Sequence, residues 1–350
     1  MSARHKPDRT HRLGARLAGM LLGALGCLQP ALGQEVLPGS PPAPTAENDT
    51  TSAGQVIMLP PTAVPLDSAV LMNPTADEAY GAFQRGFFLT AMEMALPLAE
   101  GGDPAAQTLV AELFAEGFGV ARNLEQARFW YSEAAEGGDR SARFKYALLL
   151  LADARTDPQR ATEARELMRQ AADAGHPSAQ FNYGQMLVDE TPGQAGLMAA
   201  LPYFERAADQ GIADAQYALS QIYLNAAGIE DTKRERAREW LFRAARAGYD
   251  TAQLDLAIWL IDGVGGDRDY EAGFRWMLLS ANRGNVIAQN RTAHLLINAI
   301  GTRPNPVEAG KWYVLSRRAG LNDAGLEDFF FGLTDEEQRQ AIDAANRFRR

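Results

Sequence analysis

Beyond its first 33 residues the chain holds two histidines, His176 and His294, no cysteine, and many carboxylates. These are the side chains through which acid–base, nucleophilic or metal chemistry would have to run. A metal centre needs several ligands at close spacing, and neither histidine belongs to an H-x-x-x-H or paired-cysteine string. His176 follows Gly175 in a turn, and His294 stands next to the apolar Leu295. Both read as solvated turn or helix residues. Thiol nucleophiles are absent from this part of the chain, and no G-x-S-x-G or S-x-x-K string supports a serine nucleophile. The glycine-rich strings GFGV (117–120) and GVGGD (263–267) lack the G-K-S/T ending of a phosphate loop. Abundant acid groups do not by themselves make a general acid and base. No residue is therefore expected in a catalytic, cofactor-binding or metal-binding role.

The elements that carry these residues repeat. Glycine recurs at 102, 138, 175, 211, 248, 284 and 320, a period of 36 or 37 residues. Four places after each comes alanine, at 106, 142, 179, 215, 252, 288 and 324. Glutamine follows five of these, as Gln107, Gln180, Gln216, Gln253 and Gln289. Five places after the marker alanine stands a small residue: Ala111, Ala147, Gly184, Ser220, Ala257 and Ala293. Eight before each closing glycine stands a large one: Trp130, Leu167, Tyr203, Trp240, Trp276 and Trp312. Each unit reads as two helices joined by a turn, with the small residues allowing close approach and the large ones filling the space beside them. Trp259 takes an apolar helix position and is expected to be buried too. Such a pair leaves one apolar side open, and stacking the next pair covers it. The fold class expected is all-α, an alpha/alpha superhelical solenoid of helix-turn-helix repeats. Six repeats span 102–319, with an amino-terminal cap at 75–101 and a carboxyl-terminal cap from 320 within a solenoid of 75–333. Phe329, Phe330 and Phe331 would close the last unit. A final capping helix falls in 334–350, with a Thr334–Glu337 capping box and Ile342, Ala345 and Phe348 facing inward.

This frame resembles the Sel-1-like repeat, a relative of the tetratricopeptide repeat. The stretches AAQTLVAELFAEGFGVARNLEQARFWYSEAAEGG and TAQLDLAIWLIDGVGGDRDYEAGFRWM carry the likeness best. It covers about 75–333 and departs in the middle turns ADARTDPQR and DETPGQAG. The resemblance implies a superhelical adaptor that binds proteins and has no chemistry of its own. Exported bacterial members include regulators that hold periplasmic sensors and factors for envelope or polysaccharide assembly. A cysteine-rich branch is associated with beta-lactam binding or hydrolysis, and its paired cysteines are missing here.

Two segments precede the repeats. Residues 1–33 carry the basic lead Arg4, Lys6, Arg9, Arg12 and Arg16, an apolar stretch, and the small pair Ala31 and Gly33. That is the order of a signal peptide, so an exported, periplasmic protein is expected. Cys27 is the alternative, a loose lipid-anchor site. Residues 34–74 hold eight prolines among Ser, Thr, Gly and Ala and read as a Pro-rich disordered linker. The run VIML at 56–59 is its one place able to dock on something. The whole chain is 46% hydrophobic with net charge -10, and without residues 1–33 it keeps 29 basic and 43 acidic groups. That acidity argues against nucleic acid as partner, and no run of eighteen apolar residues offers a transmembrane span.

Recognition would fall on the outward side of the first helices. Offsets +3, +6 and +10 from the marker alanine avoid the core offsets +5 and +7. They read Lys145, Asn182, Asp255 and Arg291; Glu112, Gln185, Gln221 and His294; Glu116, Asp189, Asn225, Asp262 and Asn298. They are polar and differ from repeat to repeat, as contact positions do. A non-enzymatic adaptor binding another protein, in the envelope, is the leading reading. A structural part of an envelope or polysaccharide assembly comes second, and a glycan-binding or hydrolytic protein third. Amino-terminal sequencing of the protein from the envelope fraction should begin near Gln34; intact residues 1–33 on cytosolic protein would contradict export.

Overall fold

The structure, a computed structural model, describes residues 74–153 and 157–348. The expected signal peptide and the expected linker, up to residue 73, lie outside the described residues. Every regular element described is an α-helix. The chain divides into two compact units, at residues 174 and 175.

The first unit stacks α1 (Ala76–Gln84), α2 (Phe88–Glu100), α3 (Pro104–Glu116), α4 (Leu124–Glu136), α5 (Arg140–Asp153) and α6 (Pro158–Asp173). The second holds α7 (Pro177–Glu190), α8 (Gln194–Asp209), α9 (Ala213–Asn225), the short α10 (Asp231–Glu235), α11 (Ala237–Arg246), α12 (Asp250–Asp262) and α13 (Tyr270–Asn282). It continues with α14 (Val286–Ile297), α15 (Pro306–Arg318), α16 (Ala324–Phe331) and α17 (Asp335–Arg347). Within each unit, consecutive helices pack as antiparallel pairs, and each pair packs on the next. The amino-terminal cap is the α1–α2 hairpin, opened by a Thr75–Glu78 capping box.

A short joint ends one helix and starts the next. The frame glycine has positive φ, as at Gly138 (95°) and Gly248 (91°), a conformation only glycine adopts without strain. Gly138 N–H reaches Ala135 O and Asp139 N–H reaches Ala134 O, which satisfies two last-turn carbonyls of α4. Asp139 then accepts from the marker Ala142 N–H at 2.7 Å and so caps α5. Asp103 and Asn285 do the same for Ala106 and Ala288.

The marker glutamine completes the joint. Gln107, Gln216, Gln253 and Gln289 donate their side-chain amides to Ala99, Ala208, Ala245 and Ala281, at 3.1–3.3 Å. Each glutamine is buried, and each bond spans from the first helix of a repeat to the end of the helix before it. Arg143, which replaces glutamine in the second repeat, makes the same bond to Ala135 O at 3.1 Å.

The marker alanines of the six repeats and the small residues at +5 are buried, whereas Ala324, at the start of the carboxyl-terminal cap, is exposed. A methyl on Gly184 would lie 2.8 Å from the Phe204 ring, so the helices approach there closer than alanine allows. The large residues differ by one place from the expected register. The deeply buried position is seven before the closing glycine: Tyr131, Met168, Phe204, Leu241, Met277 and Tyr313. At eight before, only Trp240 and Trp312 are buried, while Trp130, Leu167, Tyr203 and Trp276 are half-buried. The second helix presents a two-residue edge to the core, and the bulkier member is not always the inner one. Trp276 still packs on both core clusters of the second unit. Trp259 is buried as expected.

The carboxyl-terminal cap departs in the same way. The Thr334–Glu337 capping box is present. Phe330 is buried, but Phe331 points outward at 67% exposure. Ala341 and Ala345 form the inner face of α17, Ile342 lies outside it, and Phe348 meets Trp312 edge-on at 5.4 Å. Alanine at 341 lets α17 approach Gly310 closely. Met277, fully enclosed, gives the sharpest test of the inner register: Met277→Ala should cost about 2–5 kcal/mol by urea unfolding. Hydrogen exchange should loosen first across 248–319, and a loss below about 1 kcal/mol would contradict the register.

Candidate interaction face of the first helices

The marker alanine turns its helix so that offsets +5 and +7 face inward, and +3, +6 and +10 lie at the margin or outside. The sequence-derived positions fall into three groups. Glu112, Lys145, Asp255 and His294 are tied into links between helices. Asn182, Asn225 and Asn298 donate to the carbonyl four residues earlier in their own helices, at Ser178, Gln221 and His294. Glu116, Gln185, Asp189, Gln221, Asp262 and Arg291 make no side-chain hydrogen bond or ion pair among the described residues. Four of them, Glu116, Asp189, Asp262 and Arg291, are exposed.

The links show what the first group does. In the first unit Tyr131 donates its hydroxyl to Glu112 at 2.6 Å, and Lys145 pairs with Glu112 at 3.4 Å. One carboxylate of α3 thereby joins α4 and α5. Burial, then the Glu112 charge, pushes the Tyr131 phenol well above its ordinary range. In the second unit Tyr217 of α9 donates to Asp255 of α12 at 2.9 Å. Burial raises the Asp255 carboxyl, and the Tyr217 hydrogen bond only partly opposes it. His294 Nε2 lies 2.8 Å from Asp323, which also accepts from Asn290 at 3.1 Å and caps α16 through Leu326 N–H.

His176 corrects an expectation. It is buried, not solvated, and its Nδ1 accepts from Ala179 N–H at 3.2 Å, so it caps α7 as Asp103, Asp139 and Asn285 cap the first helices of three other repeats. His294 is half-exposed and stands in the link just described. Among the described residues no three His, Cys, Asp or Glu side chains gather as a metal-ligand set, and no helix is long and apolar enough to cross a membrane. The glycine strings are turns: Arg122 and Arg238 donate to the carbonyls of Ala115 and Val264 and hold them in place.

The offset pattern missed several polar residues. Tyr223 donates to Glu205 at 2.8 Å, and Lys233 pairs with the same carboxylate at 2.5 Å. Tyr217 and Tyr249 pack at 5.0 Å between ring centroids. Each constellation occurs once, so no period reveals it; only Tyr131 was reachable, by shifting the large position one place.

Charge in the second unit is unevenly spread. Its first helices α7, α9, α12 and α14 carry Asp189, Glu190, Asp214, Asp250, Asp255 and Asp262 against Arg291 alone. Of its second helices, α11 and α15 carry Arg238, Arg243, Arg246, Lys311, Arg317 and Arg318 against Glu239 and Glu308, while α8 (Glu205, Arg206, Asp209) and α13 (Glu271, Arg275) are mixed. The acidic field therefore lies on the helices that bear the variable stripe.

The Asp323 link predicts a pH dependence. The His294 hydrogen bond, aided by Leu326 N–H, holds the Asp323 carboxyl down at about 2. A depressed folded-state pKa gives stability that is full above the unfolded carboxylate value of about 3.9 and is lost as pH falls through about 2. Asp323→Asn keeps a capping oxygen without the charge, so its unfolding free energy should fall less steeply than wild type between about pH 4 and 2. Equal slopes would show that the link contributes nothing.

The Sel1 repeat family matches the chain six times, at residues 104–139, 141–176, 177–212, 213–249, 251–285 and 286–321. The chain is similar to chitin synthase regulatory factor 3 of Schizosaccharomyces pombe, 25% identical over 243 residues, which are 67% of this chain and 26% of that protein. It thus spans about a quarter of that relative's length. Among solved structures it is similar to c5321, a protective antigen of uropathogenic Escherichia coli strains displaying an SLR fold. There the TM-score is 0.62 at 22% identity, over 80% of this chain and 62% of that one. A Sel1 repeat protein from Oxalobacter formigenes gives a TM-score of 0.57 at 23% identity, over 70% of this chain and all of that one. Repeats of this type are protein-interaction modules and generally non-enzymatic. With six matches in register across the helical pairs, this chain belongs to the Sel1 repeat family.

Proposed function

We propose that the protein is a non-enzymatic adaptor or regulator that holds another protein against the outward stripe of its first helices. The observation that carries this reading is the state of that stripe in the second unit. Asp189 and Asp262 are exposed carboxylates without a pairing cation, and Asn225 and Asn298 occupy the same +10 place on their helices. Glu112, Asp255 and Asp323 are tied into links, whereas Asp189 and Asp262 are left open on an acidic helix set. Such a surface favours a partner with lysine and arginine at the contact, and the encounter rate falls as salt screens the field.

The basic lead and apolar stretch of residues 1–33 support action outside the cytoplasm, in the periplasm or envelope. A second reading places the protein in a polysaccharide assembly, favoured by its similarity to a chitin synthase regulatory factor. Both readings require a protein partner and no catalytic step.

Reversing charge at Asp189 and Asp262 together, to lysine, should weaken capture of the native partner at least tenfold. Exposed substitutions usually change stability by under about 0.5 kcal/mol each, so the melting temperature should hold nearly constant. Reversal of Glu116 tests the first unit separately. A folded double variant that captures the partner as well as wild type would move the site off the stripe.

A further inference from the structure

Two first helices of the second unit break the capping rule of the frame. Asp103, Asp139, His176 and Asn285 each accept a backbone N–H at the start of a first helix. At the same place α9 has Ile212 and α12 has Tyr249, and neither side chain caps. An uncapped start leaves first-turn amides without a side-chain acceptor and is less stable than a capped one. Ile212 and Tyr249 both pack against the core cluster of these repeats, so an apolar body alone suffices for packing there. Tyr249 brings a hydroxyl as well, and that hydroxyl stands among acids. A local rule broken in a frame otherwise kept points to function.

Tyr249 meets Tyr217 of α9 with ring centroids 5.0 Å apart and planes tilted by 35°. Both residues are half-buried, so part of each stays open to solvent. Tyr217 donates its hydroxyl to Asp255 of α12 at 2.9 Å. Asp214, in the first turn of α9, is exposed and makes no ion pair among the described residues. Burial, then the Asp214 and Asp255 charges, push the Tyr249 phenol up. Partial desolvation raises both carboxyls, and Arg291 of α14 bears on Asp255 without pairing with it. Two carboxylates thus flank one phenol, and neither has a cation of its own. A cation entering there gains the field of both acids and the negative faces of the rings.

We propose that Tyr217, Tyr249, Asp214 and Asp255 form an anchor for one lysine or arginine side chain of the protein held on the first-helix stripe. The anchor rests on the stripe reading given above and names the point within it where recognition concentrates. Asp214, Tyr217 and Gln221 follow one another at helical spacing on α9, and Asp255 is itself a stripe position, so anchor and stripe are continuous. The aliphatic stem of a basic side chain can lie along the rings while the carboxylates accept its N–H donors. At the other first helices of the repeats the equivalent of Tyr249 is an Asp, Asn or His engaged in capping, or the apolar Ile212, and offers no such platform.

Fluorine NMR of the full chain, with 3-fluorotyrosine in place of Tyr217, tests this. The probes are the blocked tripeptides acetyl-Ala-Arg-Ala-amide and acetyl-Ala-Lys-Ala-amide, with acetyl-Ala-Gln-Ala-amide as the neutral control. At least one basic peptide should shift the Tyr217 resonance saturably and bind at least about fivefold more tightly than the glutamine peptide. The same label at Tyr270, exposed on α13, should not move. Asp214→Asn with Asp255→Asn keeps hydrogen-bond acceptors without the charges and should abolish the preference. Tyr249→Asn supplies the cap side chain that Asn285 has, and should weaken binding of the basic peptides by at least about fivefold. Should that variant unfold, the paired aspartate variant decides alone. No saturable shift at Tyr217, equal affinity for the glutamine peptide, or equal movement at Tyr270 would overturn the anchor. So would undiminished binding by either folded variant. The two readings fail separately. If no probe binds while Asp189→Lys with Asp262→Lys still weakens capture of the native partner, the anchor falls and the stripe stands. Probe binding with capture unaffected by that reversal keeps the anchor and removes the stripe as the partner's seat.

Discussion

Within each unit, the joint between repeats rests on single backbone carbonyls that serve two donors. Ala245 O accepts the N–H of Gly248 and the side-chain amide of Gln253, both at 3.1 Å. Ala99, Ala208 and Ala281 stand in the same relation to their glycines and glutamines. A carbonyl near a helix end is an orphan acceptor, and leaving it buried without a partner costs about 1–3 kcal/mol. Glycine turns the chain, the cap starts the next helix, and glutamine ties that helix back to the one it left. Because the amide reaches only a few ångströms, the joint also sets how closely the two helices lie. The small residues at +5 follow from that spacing, since larger side chains would not fit.

That constraint separates what is free to vary from what is not. Offsets +5 and +7 and the edge formed by Tyr131, Met168, Phe204, Leu241, Met277 and Tyr313 are given over to packing. On the outer side of the first helices nothing in the joint dictates the residue. Some positions there have been taken into links, as Asp255 and His294 have. Others, such as Asp189 and Asp262, are exposed and enter no side-chain link among the described residues, and the first helices of the second unit gather acid groups while two of its second helices gather basic ones. Recognition can change at these places without disturbing the stack.

Much of this was legible in the residues. Glycine, alanine and glutamine recur in register because backbone geometry leaves little choice, so helix pairs, turns and caps could be read directly. The glutamine was visible as a marker, though its bond was not: a side chain that reaches eight residues back leaves no composition signal. The large residue of the second helix is only partly legible because a helix edge has two members: Trp240 and Trp312 are buried at the expected place, while Met277 and Tyr131, one place on, lie deeper than Trp276 and Trp130. His176 read as solvated because its ring substitutes for aspartate as a cap, a role set by Nδ1 and not by its class. Offsets alone could not tell a linked carboxylate such as Glu112 from an open one such as Asp262, because the link depends on Tyr131 and Lys145 in other helices.

The claim that the first-helix stripe is where a partner sits is tested most directly by site-specific photocrosslinking in the cells that make the protein. A benzophenone side chain at Asn225, on α9, would report contact with the stripe, and one at Arg275, on the exposed side of α13, would report the opposite helix set. The account predicts a partner adduct at 225 and none at 275. An adduct at 275 alone, or at both with equal yield, would contradict it.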